Sequence, residues 1–222
     1  MLYFRMGRRA LRKIDPSLDL SRHLKTFDQL PRPWRPEVLF GRRAPLEVEI
    51  GSGKGLFLRT AAAARPDRDF LGIEIAGRYA RFAAAGLARR GLTNAVVVIA
   101  DAVQAMEEIL PDRSVAAIHV YFPDPWWKRR QKKRRVMRES FVRDIARALE
   151  SGGVLHFWTD VEEYFHTAIG LFREASELEG PLDVPEKPAL DHMDYRTHFE
   201  RRTRLRGEPV YRALFRKQSQ SV

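Results

Sequence analysis

A single carboxylate, Asp124, lies between two prolines in the segment YFPDPWWKRRQKKRR, residues 121 to 135. Pro123 and Pro125 fix their own backbone φ angles and restrict the residue before each of them. The carboxylate is therefore expected to be held, either as the cap of a tight turn or as a reacting group. A held carboxylate can accept hydrogen bonds from the N1–H and exocyclic amine of guanine. It can also stabilise positive charge that develops on a bound group as that group reacts.

Positive charge follows this carboxylate directly, because seven of the eight residues from Lys128 to Arg135 are Lys or Arg. Such a run is ordinarily a solvated face, but beside a candidate reacting loop it suits contact with an RNA phosphate backbone. Trp126 and Trp127 stand between the two features. Either ring can stack on an extruded base or pack beneath the loop.

A second candidate site is the glycine-rich segment that runs from Glu49 to Gly55. Three glycines at alternate positions let the backbone turn sharply and approach a ligand closely. The segment is not a phosphate-binding P-loop, because Gly55 stands where that motif needs Ser or Thr. It is not a nicotinamide-binding fingerprint either, because Leu56 stands where that motif needs its third glycine. An acid, one spacer and Gly-x-Gly-x-Gly resembles the first motif of the S-adenosylmethionine-dependent Rossmann-like methyltransferases.

The elements that position these residues alternate between strand and helix, which predicts βαβ units and a mostly parallel sheet. Ligands of such sheets bind at the carboxyl ends of the strands. Three successive predicted strands end in an acid, and three such acids favour a cofactor site over three solvated loop carboxylates. Glu74 is placed to accept bonds from ribose hydroxyls and Asp101 to reach an adenine. The predicted strands are 46–50, 69–75, 95–101, 115–122, 154–160 and 210–217, and the predicted helices are 56–66, 77–91, 103–111, 136–150 and about 161–176.

The composition favours a polyanion-binding protein, because 40 Lys and Arg against 29 Asp and Glu give a formal charge of +11. A solvated surface in an Arg-rich proteome would give the same balance. The absence of cysteine excludes disulfides, thiolate metal sites and a cysteine nucleophile. No apolar run approaches the roughly 20 residues that span a bilayer, and the basic N-terminus lacks the features of a secretory signal. A cytoplasmic location without membrane contact is expected.

Further motifs carry a more specific resemblance. The Pro-Asp-Pro-Trp segment at 123–126, with Lys128 and the basic run after it, resembles the bacterial tRNA (guanine-N7)-methyltransferase family. Residues 157–160, Phe-Trp-Thr-Asp, are similar to the Thr-Asp at the fifth strand tip of that family. Residues 197–200, Thr-His-Phe-Glu, are similar to its Thr-x-x-Glu signature. The similarity covers about residues 44 to 217.

The chain departs from the family pattern at two positions of the basic loop. Trp127 stands where the family often has Pro, and Gln131 stands where a His is common. Neither residue is a proposed ligand, so the departures concern the shape of the loop and its RNA contacts.

The resemblance implies an α/β Rossmann-like methyltransferase fold with a mostly parallel seven-stranded sheet and helices on both faces. Residues 1–44 are rich in Arg and Pro and are predicted to form a basic, irregular N-terminal arm, and residues 45–222 are predicted to form the methyltransferase domain. The resemblance also implies methyl transfer from S-adenosylmethionine to N7 of guanosine 46 in the variable loop of tRNA, with Asp124 as the catalytic residue. The implied cofactor contacts are Glu49, Gly51, Gly53, Gly55, Glu74, Asp101 and Asp124. The implied substrate contacts are Lys128, Asp160, Thr197 and Glu200, and the implied RNA contacts are Arg130, Lys132, Lys133, Arg134 and Arg135.

Four other functions remain as alternatives. Methylation of a different RNA guanosine would use the same residues. A nicotinamide dehydrogenase is disfavoured by the glycine spacing. A non-catalytic RNA-binding protein would be expected to lose the cofactor acids, which are present. A metal enzyme is disfavoured because the six histidines show no metal-ligand spacing. The sequence leaves the oligomeric state open.

Overall fold

Eight strands form one sheet in the computed structural model, which describes residues 11–125, 136–191 and 194–219. The sheet order is β1-β4-β3-β2-β5-β6-β8-β7. The first six strands in sheet order are parallel, and β8 runs antiparallel to both β6 and β7. The strands are β1 Leu24–Thr26, β2 Leu46–Ile50, β3 Asp69–Glu74, β4 Ala95–Ile99, β5 Val115–Tyr121, β6 Leu149–Thr159, β7 Leu178–Leu182 and β8 Tyr211–Lys217.

Helices cover both faces of this sheet. The buried side chains of α1, α4, α5 and α6 pack on one face of the sheet, and those of α2 and α3 pack on the other face. No helix in the described ranges is long and apolar enough to cross a membrane. The helices are α1 Pro36–Phe40, α2 Leu56–Ala64, α3 Gly77–Ala88, α4 Ala102–Glu108, α5 Glu139–Ala148, α6 Glu162–Ala175 and α7 His198–Arg204, with a 3₁₀ turn at Phe27–Gln29.

The central strand β2 is buried along its whole length, although two of its five residues are acids. Side chains alternate between the two faces of a strand. Leu46, Val48 and Ile50 therefore join the core under α4 and α5. Glu47 and Glu49 point to the opposite face, beneath α2 and α3, and each buried carboxylate needs partners there.

Glu47 finds those partners in a buried polar network. Its Oε1 accepts hydrogen bonds from Arg65 at 2.5 Å and Arg68 at 3.2 Å, and its Oε2 contacts His119 Nε2 at 2.8 Å. His119 Nδ1 lies 2.9 Å from the Tyr121 hydroxyl, two residues along β5. Although burial alone raises the pKa of Glu47, the His119 hydrogen bond and the nearby positive charges lower it to about 2. Burial also lowers the pKa of His119, so a neutral imidazole donates Nε2–H to Glu47 and accepts the Tyr121 O–H.

The predicted fold class and all six predicted strands are confirmed, but the sheet has eight strands instead of seven. The two unpredicted strands, β1 and β7, are short and lie at opposite edges. The segment 1–44 is therefore not irregular throughout, because β1 pairs in parallel with β4 and places Leu24 opposite Val97. The buried His23 donates a further hydrogen bond from Nδ1 to the Ala95 carbonyl at 3.1 Å.

Candidate cofactor and substrate site

The glycine-rich loop folds back over the tip of β3 immediately after β2. Gly51, Gly53 and Gly55 have φ angles of 75°, 53° and 67°, the left-handed region that favours glycine. The amides of Gly51 and Ser52 donate to the Ile73 carbonyl at 2.8 and 3.1 Å, and the Gly55 amide donates to the Ser52 carbonyl at 2.8 Å. The alternating glycines therefore build the sharp turn expected from the sequence, and α2 begins directly after it.

Glu74 joins this loop to the start of α3. Its Oε2 accepts from the Gly53 amide at 2.7 Å and its Oε1 from the Ala76 amide at 2.8 Å. A carboxylate oxygen has two lone pairs, so each oxygen can accept one more hydrogen bond from a ligand. This geometry suits an acceptor for the two hydroxyls of a ribose.

Glu49 lies beneath the same loop and is only 2% exposed. Burial and the neighbouring Glu74 charge raise its pKa well above the usual value. Its Oε2 and the Ser52 hydroxyl are both buried, and the contact from Ser52 partly opposes the rise in the pKa of Glu49. No hydrogen bond of good geometry reaches Glu49 Oε2 within the described ranges, and a bound ligand is one way to satisfy such an atom. The loop and its acids thus fit a polar, positively charged cofactor such as S-adenosylmethionine.

Asp101 lies at the adjacent strand tip and caps α4. Its Oδ1 accepts from the amides of Val103 at 2.8 Å and Gln104 at 3.3 Å, while the residue as a whole is exposed. Asp101 therefore caps the N-terminus of α4, and its exposed carboxylate is also accessible to a ligand.

Ile75 follows Glu74 at this edge, and no sequence motif marked it. It is 70% exposed and lies at the same sheet edge as Glu74.

The tip of β5 carries strained backbone directly before the proline-flanked acid. Phe122 has a φ of 52°, which a bulky residue rarely adopts, and its amide donates to the Trp158 carbonyl at 2.8 Å. Strained residues of this kind concentrate at functional sites. Asp124 is exposed two residues further on, at the same sheet edge as Glu49 and Glu74. The other candidates of this segment lie outside the described residues: Trp126, Trp127, Lys128, Arg130, Lys132, Lys133, Arg134 and Arg135.

Thr197 and Glu200 are brought together at the start of α7. The Thr197 hydroxyl accepts from the Glu200 amide at 3.0 Å and so caps the helix. The Glu200 carboxylate is 2% exposed and accepts from the Arg196 amide at 2.6 Å and from Arg204 at 3.3 Å. Glu200 also lies 3.6 Å from Arg212 in an ion pair. The Thr-x-x-Glu spacing therefore orders this helix, whatever contact it makes with a substrate.

Asp160 lies at the tip of β6, partly buried. Burial raises its pKa, the Glu208 charge raises it further, and Arg202 of α7 opposes the shift. Asp160 therefore lies within electrostatic range of Arg202 on α7.

Helix α7 also meets the two loops described above. The Phe199 ring lies 5.0 Å from the Phe122 ring at the tip of β5. Burial lowers the pKa of His198 to about 4, and so do nearby positive charges that include Arg59 and Lys54 of the glycine-loop region. The structure thus brings together the glycine loop, the Asp124 loop and the Thr-x-x-Glu helix.

A cavity of about 260 Å³ lies beside Glu200, between α2 and the segment before α7. Trp158, Arg65 and Arg196 are among its lining residues. It flanks the sheet and does not lie over the glycine loop, so it is separate from the predicted cofactor position.

Comparisons with known proteins agree with this architecture. A family model described as a putative methyltransferase matches residues 43–213. The tRNA (guanine-N(7)-)-methyltransferase of Rhodopirellula baltica is 47% identical over 221 residues, which cover 97% of this chain and 82% of the relative. The chain belongs to the tRNA (guanine-N7)-methyltransferase family. A relative of the same name from Alcanivorax borkumensis is 38% identical over 187 residues, which cover 83% of this chain and 77% of the relative.

Solved structures support the fold of this tRNA (guanine-N7)-methyltransferase family member. An aminoglycoside resistance methyltransferase superposes with a TM-score of 0.55 at 21% identity, covering 85% of this chain and 94% of its own. The predicted family is thus confirmed, and with it S-adenosylmethionine as the methyl donor. Within the described ranges, no group of three or more His, Asp or Glu side chains is arranged to hold a metal ion.

Replacing Gly55 by Ala should destabilise this methyltransferase more than replacing Gly91 by Ala. Both glycines have a left-handed φ, 67° and 61°, so both variants share the backbone strain. A Cβ at Gly55 would lie 2.6 Å from the Ala83 Cβ of α3, whereas a Cβ at Gly91 would have no neighbour within 4 Å. We expect an additional loss of about 1–3 kcal/mol in the free energy of unfolding for Gly55→Ala, from overpacking. Urea denaturation of both variants measures it, and equal losses would contradict the contact with α3.

Proposed function

We propose that this protein transfers a methyl group from S-adenosylmethionine to N7 of a guanine in tRNA, and that the target is guanosine 46 of the variable loop. The observation that carries the proposal is the convergence of three features at one sheet edge. These are the glycine loop with its partly unsatisfied acids, the held Asp124, and the Thr-x-x-Glu helix. Family membership supports the same chemistry.

The proposed cofactor contacts lie on the glycine loop and the first three strand tips. Glu74 receives the ribose hydroxyls, Asp101 reaches the adenine, and Glu49 faces the positively charged end of the molecule. The bound cofactor supplies an electrophilic methyl group. A positive charge near Glu49 would favour its ionised form and so offset the effect of burial on its pKa. The complete set is Glu49, Gly51, Gly53, Gly55, Glu74, Asp101 and Asp124.

Asp124 performs the central role in the transfer. Its carboxylate accepts hydrogen bonds from guanine N1–H and the exocyclic amine, which orients N7 toward the methyl group. Guanine N7 carries a free lone pair, so no general base is required. The base becomes cationic as the new bond forms, and a fixed negative charge beside it stabilises that state.

The remaining predicted residues serve the RNA in this proposal. Lys128, Asp160 and Thr197 contact the target nucleotide, and the buried Glu200 serves it through the arginines that it holds. The phosphate backbone is contacted by Arg130, Lys132, Lys133, Arg134 and Arg135. A cytoplasmic location remains a prediction. The boundary near residue 45 also remains a proposal, since the start of the family match at 43 supports it while β1 joins part of the preceding segment to the sheet.

The direct test is methylation of unmodified tRNA. The full chain is incubated with methyl-labelled S-adenosylmethionine and unmodified tRNA transcripts, and the product is mapped for 7-methylguanosine. We expect label at guanosine 46, and a transcript with adenosine at that position should accept none. Label at another guanosine would retain the chemistry and overturn the position. No label on any RNA would overturn the proposed function.

A further inference from the structure

Phe199 is an exposed aromatic residue on the first turn of α7. The large apolar side chains that are exposed in the described ranges are Val38, Ile75, Leu190, Phe199 and Leu205, and Phe199 is the only ring among them. It is 41% exposed despite its close contact with Phe122. An exposed aromatic ring offers a face on which a nucleobase can stack.

Two neighbours hold this ring in place. The Phe122 ring lies 5.0 Å away with an interplanar angle of 33°. The Arg202 guanidinium lies 5.0 Å from the Phe199 ring centroid, three residues along the same helix. Since Phe122 has a left-handed φ, its position is set by the tight turn that leads to Asp124. The ring is thus fixed relative to Asp124, which makes it suitable for positioning a flat group.

The charge around the ring favours an anionic partner. Lys54, Arg201 and Arg202 all lie close enough to His198 to lower its pKa, and burial keeps that imidazole neutral. Arg201 and Arg202 are exposed. A ring bordered by exposed cations is suited to a nucleotide, whose base stacks while its phosphate pairs with the cations.

We propose that Phe199, supported by Phe122 and accompanied by Arg202, is the stacking surface for an unpaired nucleobase of the RNA substrate. The inference rests on the proposed function and adds to it the group that contacts the face of the base. Asp124 can fix only the edge of a guanine. Thr197 and Glu200 flank Phe199 in sequence and order the helix that presents it. In this proposal Phe199, and neither Trp126 nor Trp127, stacks on the base.

The test compares Phe199→Leu with Phe199→Tyr in the full chain. Leu keeps an apolar side chain against Phe122 but removes the π face, whereas Tyr keeps the face. We expect Phe199→Leu to raise the dissociation constant for unmodified tRNA about tenfold, the scale of one lost base–aromatic stack. Phe199→Tyr should bind within about twofold of the wild type. Binding is measured with S-adenosylhomocysteine present, so that no turnover is needed.

A second measurement locates the contact. Ultraviolet crosslinking of tRNA, followed by mass spectrometry of the peptides, should place a crosslink at Phe199 in the wild type and none at the same position in the Phe199→Leu variant. Unchanged tRNA affinity in Phe199→Leu would overturn the proposal. So would a loss of turnover in both variants at unchanged affinity, which would mean that the ring only packs the Phe122 turn. Because affinity and crosslinking do not depend on methyl transfer, failure of the proposed activity would be seen separately.

Discussion

Replacing Asp124 by Asn should lower the rate of methyl transfer to tRNA at least tenfold while the fold stays intact. Asn has the same shape, so the two flanking prolines still hold it. Its amide is neutral, so it does not stabilise the positive charge on the methylated base. The amide N–H groups would also face the N–H donors of guanine. Losing one preorganised electrostatic partner of a transition state costs about 10²–10³ in rate in well-studied cases.

The measurement separates chemistry from binding. Single-turnover rates with saturating enzyme report the methyl-transfer step, and calorimetric titration with S-adenosylhomocysteine reports the cofactor site. Asp67→Asn is a matched control, since Asp67 is highly exposed and lies in the loop between α2 and β3. It should show wild-type rates. If Asp124→Asn also turned over normally, Asp124 would have no part in the mechanism.

The fold was largely predictable because its central strands have strong local signals. The segment AVVVI of β4 is continuously apolar, and Pro66 and Gly91 mark the ends of the helices before β3 and β4. The four strands and helices that were missed, β1, α1, β7 and α7, are short and gain their order from partners. Strand β1, for instance, has three residues and depends on pairing with β4. No local pattern indicates such an edge strand.

The candidate site likewise contains residues that the sequence identifies and residues that it does not. The acid-spacer-glycine spacing predicts a cofactor contact at Glu49, and the structure places this residue in the buried strand that leads into the glycine loop. Its neighbour Glu47, two residues earlier in the same strand, gave no signal. Its role depends on His119, which is 72 residues away, and on Arg65 from the end of α2. Contacts at that separation are a property of the folded sheet, so the spacing of residues does not reveal them.

Replacing Glu47 by Ala should therefore destabilise the protein severely, although Glu47 is remote from the methyl-transfer step. The change removes the carboxylate that Arg65, Arg68 and His119 share, and leaves the buried His119 and the half-buried arginines without that acceptor. Breaking a buried charge pair by removing one partner costs about 3–5 kcal/mol. We expect a loss of this size in the free energy of unfolding at pH 7, measured by guanidinium denaturation.

Glu47→Gln is the matched variant that isolates the charge. Its amide oxygen can still accept from Arg65, and its N–H can donate to His119 Nε2 if the imidazole switches tautomer and donates Nδ1–H to Tyr121. The loss should thus be smaller than for Ala. The pH dependence gives a second test, because Glu47 has a pKa of about 2 in the fold against an ordinary 4.5. A carboxylate whose pKa is lower in the folded state stabilises the fold when it is ionised. This contribution to the free energy of unfolding is fully present above pH 4.5 and is lost as the pH falls toward 2. The wild type should lose stability in that window more steeply than Glu47→Gln, and parallel pH profiles would show that the ionised carboxylate contributes nothing.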